Sequence, residues 1–452
     1  MGDGMGSLGN IKKNDPEIFK AIRKELKRQR ETLEMIPSEN FASLDVIRAM
    51  GTVLTNKYSE GYPGKRYYGG NQFIDQIETI AIERAKSLFN VAHANVQPYS
   101  GSPANFAVYT ALCNPGDTIM GMNLTDGGHL THGWKTSASG KYFKSVAYHV
   151  KADGYIDIEE ARKLAMESRP KLIWIGASAY TRALPFREFA EIAEQCGAYL
   201  VADIAHIAGL IAGGAHESPS DYVHVITTTT HKTLRGPRGA MIMVTRKGLA
   251  KDPDLADKLD KAVFPGLQGG PHDHQTAAIA IALLEASGVE FKEYSRQVVL
   301  NAQALSEQLV RKGLKPVTGG TDNHMVLVDL TQFGKGKGVF VQEALDLAGI
   351  VANKNTIPGE QSSPFYPSGL RLGTPALTSR GMRQGEMVEI ANIIVDVIQQ
   401  VKGYEVPEEK EARLKYIAKF KKEIKANPVV KEAREKVLLL CERFPLYADL
   451  RL

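Results

Sequence analysis

Cysteine is scarce in this chain. Its three cysteines, Cys113, Cys196 and Cys441, are odd in number, far apart and without any C-x-x-C spacing, which excludes a disulfide framework and a structural zinc ribbon and suits a reducing compartment. Long apolar runs are missing as well: no stretch is long enough to span a bilayer, and residues 1–4 lack the basic-then-apolar pattern of a secretion signal. Charge of one sign is in short supply too. A formal net charge of +5 over 452 residues is slight and spread along the sequence, so a dedicated nucleic-acid binder is disfavoured while anionic small molecules remain acceptable. There is no internal repeat and no low-complexity segment. The expectation is a cytoplasmic, globular protein of about two or three domains.

What is present gathers around residues 227–239, where Thr227, Thr228, Thr229, Thr230, His231, Lys232 and Thr233 lead into Arg235-Gly236-Pro237-Arg238-Gly239. The run 222–226 before them is apolar and β-branched and reads as a strand. Four hydroxyls and an imidazole thus surround one lysine where a buried strand ends and the chain turns back. Burial lowers an ammonium pKa, and a free amine at the carboxyl end of a strand can form an imine with a carbonyl cofactor, for which pyridoxal phosphate is the obvious candidate. Alone, the stretch reads more readily as a solvated lysine in a basic loop beside Arg235 and Arg238. A second strand, 199–203, ends on Asp203 about thirty residues earlier, which fits one crossover between neighbouring parallel strands. Pyridoxal chemistry needs a carboxylate against the pyridinium nitrogen, so that the ring stays protonated and withdraws electrons. The structural alternative for Asp203 is a helix N-cap.

Around this pair the chain offers further candidates. Ser100-Gly101-Ser102-Pro103 opens a helix through Phe106, Val108 and Leu112, and small residues at a helix N-terminus leave N–H groups free for a phosphate. Residues 56–71 form an irregular loop with four tyrosines, the acid Glu60 and many glycines, a composition that usually meets a partner. His129 and His132 lie three apart after a strand at 117–122; with no third ligand at hand no metal is expected, and the neighbouring glycines suggest flat approach to a ring. Asp15-Pro16 starts a helix whose apolar face, Ile18, Phe19, Ile22 and Leu26, must pack on something. Helix is expected at 73–89, at 185–196 and from about 275 to 311, a boundary near Gly319-Gly320, a strand at 325–330, and a charged helical tail at 408–440 with a solvated face.

With Lys232, Asp203, the Ser100 turn and the tyrosine-glycine loop in view, the sequence closely resembles the serine hydroxymethyltransferases, of the fold-type I pyridoxal-phosphate enzymes. The likeness covers nearly the whole chain after the first ten residues and is most specific at 58–71, 127–133, 203–210, 227–239, 265–271 and 371–381. It implies an α/β fold: a mixed, mostly parallel seven-stranded sheet flanked by helices, with a smaller α+β C-terminal domain. The expected division is an N-terminal helical arm over 1–55, a large cofactor-binding domain over 56–318 and a small domain over 319–452. By the same resemblance Lys232 would hold the cofactor covalently, Asp203 its pyridine nitrogen, and His129 would stack on its ring. Ser100, Gly101 and Ser102 would grip the phosphate, and Ser178, His206 and His231 would line the cofactor. Arg371 would clamp the substrate carboxylate, with Ser38, His206 and Asn355 also on the substrate side. Tyr58, Glu60, Tyr68 and Gly270 would reach in from a second subunit, making the active site the property of a homodimer; Glu60 and Tyr68 would be catalytic. Two departures are visible, Thr181 where many members carry proline and Pro103 where glutamine or alanine is common, and neither removes a functional group.

The activity implied is reversible transfer of the hydroxymethyl carbon of L-serine to tetrahydrofolate, giving glycine and 5,10-methylenetetrahydrofolate. A folate-independent aldolase acting on threonine-like β-hydroxy amino acids shares Lys232, Asp203 and Arg371 and stays open, with Glu60 and Asn355 as discriminators. A non-catalytic nucleic-acid binder on an enzyme scaffold is a third reading, against which the weak net charge counts.

Overall fold

Apolar β-branched runs alternating with amphipathic helices build an α/β chain. The computed structural model describes residues 8–450, so the absence of a leader pattern at residues 1–4 lies outside the described residues. The chain forms two compact units, one spanning Ala42–Arg296, the other uniting the described residues up to Phe41 with those from Gln297 onward. The divisions therefore fall at 41 and 296 and not at the 55 and 318 expected from sequence. Gly319 and Gly320 mark only a local turn, while the second division falls inside the continuous helix Val289–Arg311.

The first unit is built on a seven-stranded sheet. Its strands are β1 (His93–Asn95), β2 (Thr118–Met122), β3 (Lys144–Tyr148), β4 (Leu172–Ile175), β5 (Tyr199–Asp203), β6 (Val225–Thr229) and β7 (Ala240–Val244), in the spatial order β1-β7-β6-β5-β4-β2-β3. β2 to β6 pair in parallel, and β7 runs antiparallel to both of its neighbours. β4, β6 and β7 are buried along their whole length, as strands covered on both faces must be. β6 starts three residues later than the expected 222–226. Its register is set from both sides, Val201 opposite Val225 and Ala240 opposite Thr229, and threonine's branched side chain suits the pleat as well as valine's. The helix Gly101–Leu112 packs its Ala104, Val108 and Leu112 on this sheet, around the fully buried Trp174. The helix Gln72–Phe89 ends on Asn90 in the left-handed region (φ 51°). The long helical stretch expected from 275 is two helices, Asp273–Ala286 and Val289–Arg311, broken at Ser287-Gly288.

The second unit carries a four-stranded antiparallel sheet, ordered Lys315–Pro316, Met325–Asp329, Gly369–Gly373, Asn353–Asn355. The N-terminal helix Pro16–Glu31 begins as expected, with the Asp15 carboxylate accepting from the Ile18 N–H at 3.1 Å. Of its apolar face only Phe19 is buried; Ile18 and Ile22 are exposed. Beyond it Leu33–Glu34 pairs in parallel with Ile350–Val351. The C-terminal tail is more than a solvated face. Its helices Lys410–Ala426 and Pro428–Arg443 bury Phe420, Ile424, Val437 and Leu440 in this unit's core, because the apolar positions recur at helical spacing between the lysines. Among the described residues no helix is long and apolar enough to cross a membrane.

Candidate active site

Parallel strands deliver their last side chains to one end of a sheet, and here β5 and β6 end side by side, with Asp203 opposite Thr227. The chain leaving β6 cannot continue the ladder and folds into a tight loop. Thr230 Oγ1 donates to the Pro237 carbonyl at 2.6 Å, the Gly236 N–H to the Thr230 carbonyl at 2.7 Å, and Thr233 Oγ1 to the His206 carbonyl at 2.8 Å. The threonine hydroxyls that surround the lysine in sequence are thus spent largely on holding its loop. Lys232 stands on that loop and faces a cavity also lined by Gly101, His129, His132, Ser178, Asp203, His206 and Thr229.

The Asp203 carboxylate is met from three directions. Oδ2 accepts from Asn105 Nδ2 at 2.9 Å and lies 3.1 Å from His132 Nε2, and Oδ1 accepts from the Ala205 N–H at 3.1 Å. His132 lies flat on the buried Trp174, ring centroids 5.0 Å apart and 7° from parallel, so its orientation is fixed. Burial acts to raise the Asp203 pKa. The hydrogen bond and charge of His132, with the charge of Lys232 alongside, outweigh it and hold the carboxyl well below the usual carboxylate range. The opposite happens to the imidazoles. Burial first, then the neighbouring His132, pushes His129 down to about 4; burial, then Arg238 and Lys232, pushes His231 down to about 3. His129 is a neutral ring at physiological pH, held by a 2.7 Å contact of Nδ1 with Thr131 Oγ1.

The groups present fit pyridoxal phosphate. An ionised carboxylate offers about four lone-pair positions, and three donors leave room at Asp203 for a pyridinium N–H. The helix Gly101–Leu112 begins at Ser100 without a side-chain cap, so the backbone N–H groups of Gly101 and Ser102 face an acceptor from elsewhere. A Cβ on Gly101 would lie 2.8 Å from Thr229 Cγ2, so only glycine lets the helix start this close to β6. Thr227 Oγ1 and His231 Nδ1 are buried with no partner among the described residues. His129, His132 and Asp203 can also meet a single cation, their ligand atoms lying within 4.8 Å of one another. Asp203 is the third ligand that the sequence did not bring to the two histidines. Amide donors on Asp203 and the charge of Lys232 alongside favour a pyridinium over a dication.

The other expected residues form two groups. Tyr58, Glu60, Tyr68 and Gly270 lie together in the first unit but do not line the cavity: Tyr58 Oη meets Glu60 Oε1 at 3.3 Å, the Tyr58 and Tyr68 rings pack edge to face at 5.3 Å, and Gly270 lies against the Tyr58 ring. The charge of Glu60, through space and by the hydrogen bond, raises the Tyr58 hydroxyl above its ordinary range. Ser38, Asn355 and Arg371 belong to the second unit. Arg371 lies opposite Asn353 in the small sheet, its Nε donates to Asn353 Oδ1 at 3.0 Å, and burial pushes its guanidinium down to about 10. Asn355 faces Gly369 and donates to the Thr356 carbonyl at 2.8 Å. The Gly373 N–H donates to the Met35 carbonyl at 2.7 Å, which brings the turn of Ser38 to the end of the Arg371 strand. Sequence reasoning gave no role to Asn105 or His132; spacing cannot reveal that both end on Asp203.

A lysine just after one strand and an aspartate at the end of its neighbour, lining one cavity, are what the fold-type I pyridoxal-phosphate enzymes share. The family model for serine hydroxymethyltransferase matches residues 11–394. The serine hydroxymethyltransferase of Acidothermus cellulolyticus is 59% identical over 395 residues, 87% of this chain and 91% of the relative. Those of Desulfotalea psychrophila and a Cyanothece species are 51% and 52% identical, each over 98% of this chain and 96% and 97% of their own lengths. The chain belongs to the serine hydroxymethyltransferase family.

Proposed function

We propose the following division of labour for this chain, a pyridoxal-phosphate-dependent enzyme that moves the hydroxymethyl carbon of L-serine reversibly to tetrahydrofolate, leaving glycine and 5,10-methylenetetrahydrofolate. The observation that carries it is Lys232 facing the ionised, three-fold held Asp203 across one cavity. Lys232 Nζ anchors the cofactor's aldehyde carbon. Asp203 keeps the pyridine nitrogen protonated, and His129, neutral through burial, lies against the ring without adding charge. The N–H groups of Gly101 and Ser102 with the Ser100 hydroxyl hold the phosphate, and Ser178, His206 and His231 close the sides. Pyridoxal phosphate, once bound, withdraws the electrons left on the substrate α-carbon. Arg371 grips the substrate carboxylate with its planar fork, Ser38 and Asn355 stand on the amino-acid and folate sides, and Glu60 moves the proton of the substrate hydroxyl with Tyr68 beside it.

Tyr58, Glu60, Tyr68 and Gly270 serve a neighbouring copy in a homodimer. Support comes from their place outside the cavity and from the exposed apolar side chains around them, Val53, Tyr58, Tyr67, Tyr68, Phe73 and Ile80. A cytoplasmic location is supported by three unpaired cysteines. The test is holoprotein with L-serine labelled at its β-carbon, with and without tetrahydrofolate. Label passing to the folate, with glycine release depending on it, is expected. Glycine release at the same rate without folate would make the aldolase reading correct.

A further inference from the structure

Beneath the loop that carries Tyr58 and Glu60 lies a carboxylate that none of these roles uses. Ser59 is completely buried while Tyr58 before it is exposed and Glu60 after it half-buried, the alternation that an extended chain gives. Its Oγ donates to Asp273 Oδ1 at 2.6 Å. Asp273 is the first residue of the helix Asp273–Ala286, where the free N–H groups favour negative charge, and it is only 2% exposed. Its second oxygen has no partner among the described residues, so the Ser59 hydroxyl is the hydrogen bond that holds the group. From the other side the buried Arg66 fixes the same residue's backbone. Its Nη1 donates to the carbonyls of Ser59 and Gly61 at 2.8 Å each, while Nη2 and Nε are tied to Glu78 at 2.6 Å and Asp75 at 2.8 Å. The segment that ends in Asp273 also runs close to Glu60: a Cβ added to Gly269 would lie 3.1 Å from Glu60 Oε1.

We propose that Asp273 is a positioning residue for Tyr58 and Glu60: by holding Ser59 inward it sets the directions in which its two neighbours leave the chain. This rests on the roles proposed above for Tyr58 and Glu60. Asp273→Asn keeps an acceptor for Ser59, whereas Asp273→Ala and Ser59→Ala remove the bond from either end. Losing a hydrogen bond to a buried charged group corresponds to roughly tenfold or more, so both alanine variants should lower kcat for serine-to-folate transfer by about tenfold with cofactor loading unchanged, and Asp273→Asn should stay within about threefold of wild type. A second readout needs no cofactor. Amide hydrogen exchange of residues 56–71 in the cofactor-free protein should accelerate in the alanine variants and not in Asp273→Asn. In a Glu60→Gln background, Asp273→Ala should add less loss than it does in wild type, because only its action through Tyr58 remains.

Alanine variants with wild-type turnover and exchange, or losses that multiply in the Glu60→Gln background, would overturn the assignment. If Asp273→Ala does not fold, Ser59→Ala carries the same test with the carboxylate left in place. Wild-type protein that passes no carbon to tetrahydrofolate would overturn the proposed function instead, which keeps the two failures apart.

Discussion

The strand-end cavity and the loop 56–71 belong to the same compact unit, yet they hold their polar groups in opposite ways. In the cavity the functional groups are half-buried and regular structure holds them: Asp203 ends β5, and its donors Asn105 and His132 stand on the helix and turn beside it. In the loop the functional side chains point outward, and the buried charges, Arg66 with Glu78 and Asp273 with Ser59, lie underneath as fasteners. The difference teaches that electronic control of a cofactor asks for side chains fixed by secondary structure. Reaching a partner asks for an ordered but outward-facing loop.

The largest expected effect breaks the comparison at its centre. Lys232→Gln should lower transfer by roughly a thousandfold or more, and borohydride reduction of wild type followed by peptide mapping should place the pyridoxyl label on Lys232; a label elsewhere sinks the assignment. The same variant tests whether the loop serves another chain. Mixed with Glu60→Gln under conditions that let subunits exchange, it should form hybrid dimers with one doubly defective and one intact site, and activity should rise towards about half of wild type per hybrid dimer. Verified hybrids that stay inactive would place Glu60 and Lys232 in one site of one chain.

Next in size, Asp203→Asn should still bind cofactor but lose about a hundredfold or more in turnover, near 3 kcal/mol of barrier at ~1.4 kcal/mol per tenfold. Near-normal turnover would remove Asp203 from the mechanism. Smaller again is Arg371→Lys, which keeps the charge and loses the fork; KM for serine should rise about tenfold with kcat less affected, and unchanged affinity for serine and glycine would assign the clamp to another arginine.

The smallest effect concerns stability and sharpens the contrast between buried and exposed groups. Burial, then the charges of Lys251 and Lys247, pushes His224 down to about 4, and its Nδ1 accepts from the Leu200 N–H at 2.8 Å. Folding thus prefers the neutral ring. The unfolded chain takes up its proton near pH 6.5, the native one only near 4, so the stability this group contributes is complete above about 6.5 and is lost as pH falls through that window. The loss is on the order of 1–3 kcal/mol. His224→Gln should therefore flatten the fall in Tm between pH 7 and 5, and a fall as steep as wild type's would refute it.

How much of this was legible in the sequence depended on how local the cause was. That Lys232 and Asp203 share one cavity could be read because Asp203 ends a strand and Lys232 follows one closely, and the Asp15 cap and the Gly101 turn are likewise local signals. The start of β6 could not, because its register is imposed by β5 and β7 and the threonines are as good a strand as the valines before them. Nor could the partners of Asp203: whether His132 reaches it depends on strand order, with β4 alone between β2 and β5. The tail 408–440 looked solvated because lysines dominate its composition, while its spacing of Phe420, Ile424, Val437 and Leu440 hides a buried stripe.

The pairing of Leu33–Glu34 with Ile350–Val351 also sets a timetable. On the ribosome these two segments emerge roughly 300 residues apart, and at ~5–20 residues per second that is a delay of about 15–60 seconds. Throughout it Leu33 and Met35, both fully buried in the finished fold, have no core to enter, since the residues they pack with in their unit come from beyond Leu305. The unit built from Ala42–Arg296 is meanwhile free to assemble. In the living cell an apolar segment made early is therefore among the last to find shelter, and it waits exposed on the nascent chain.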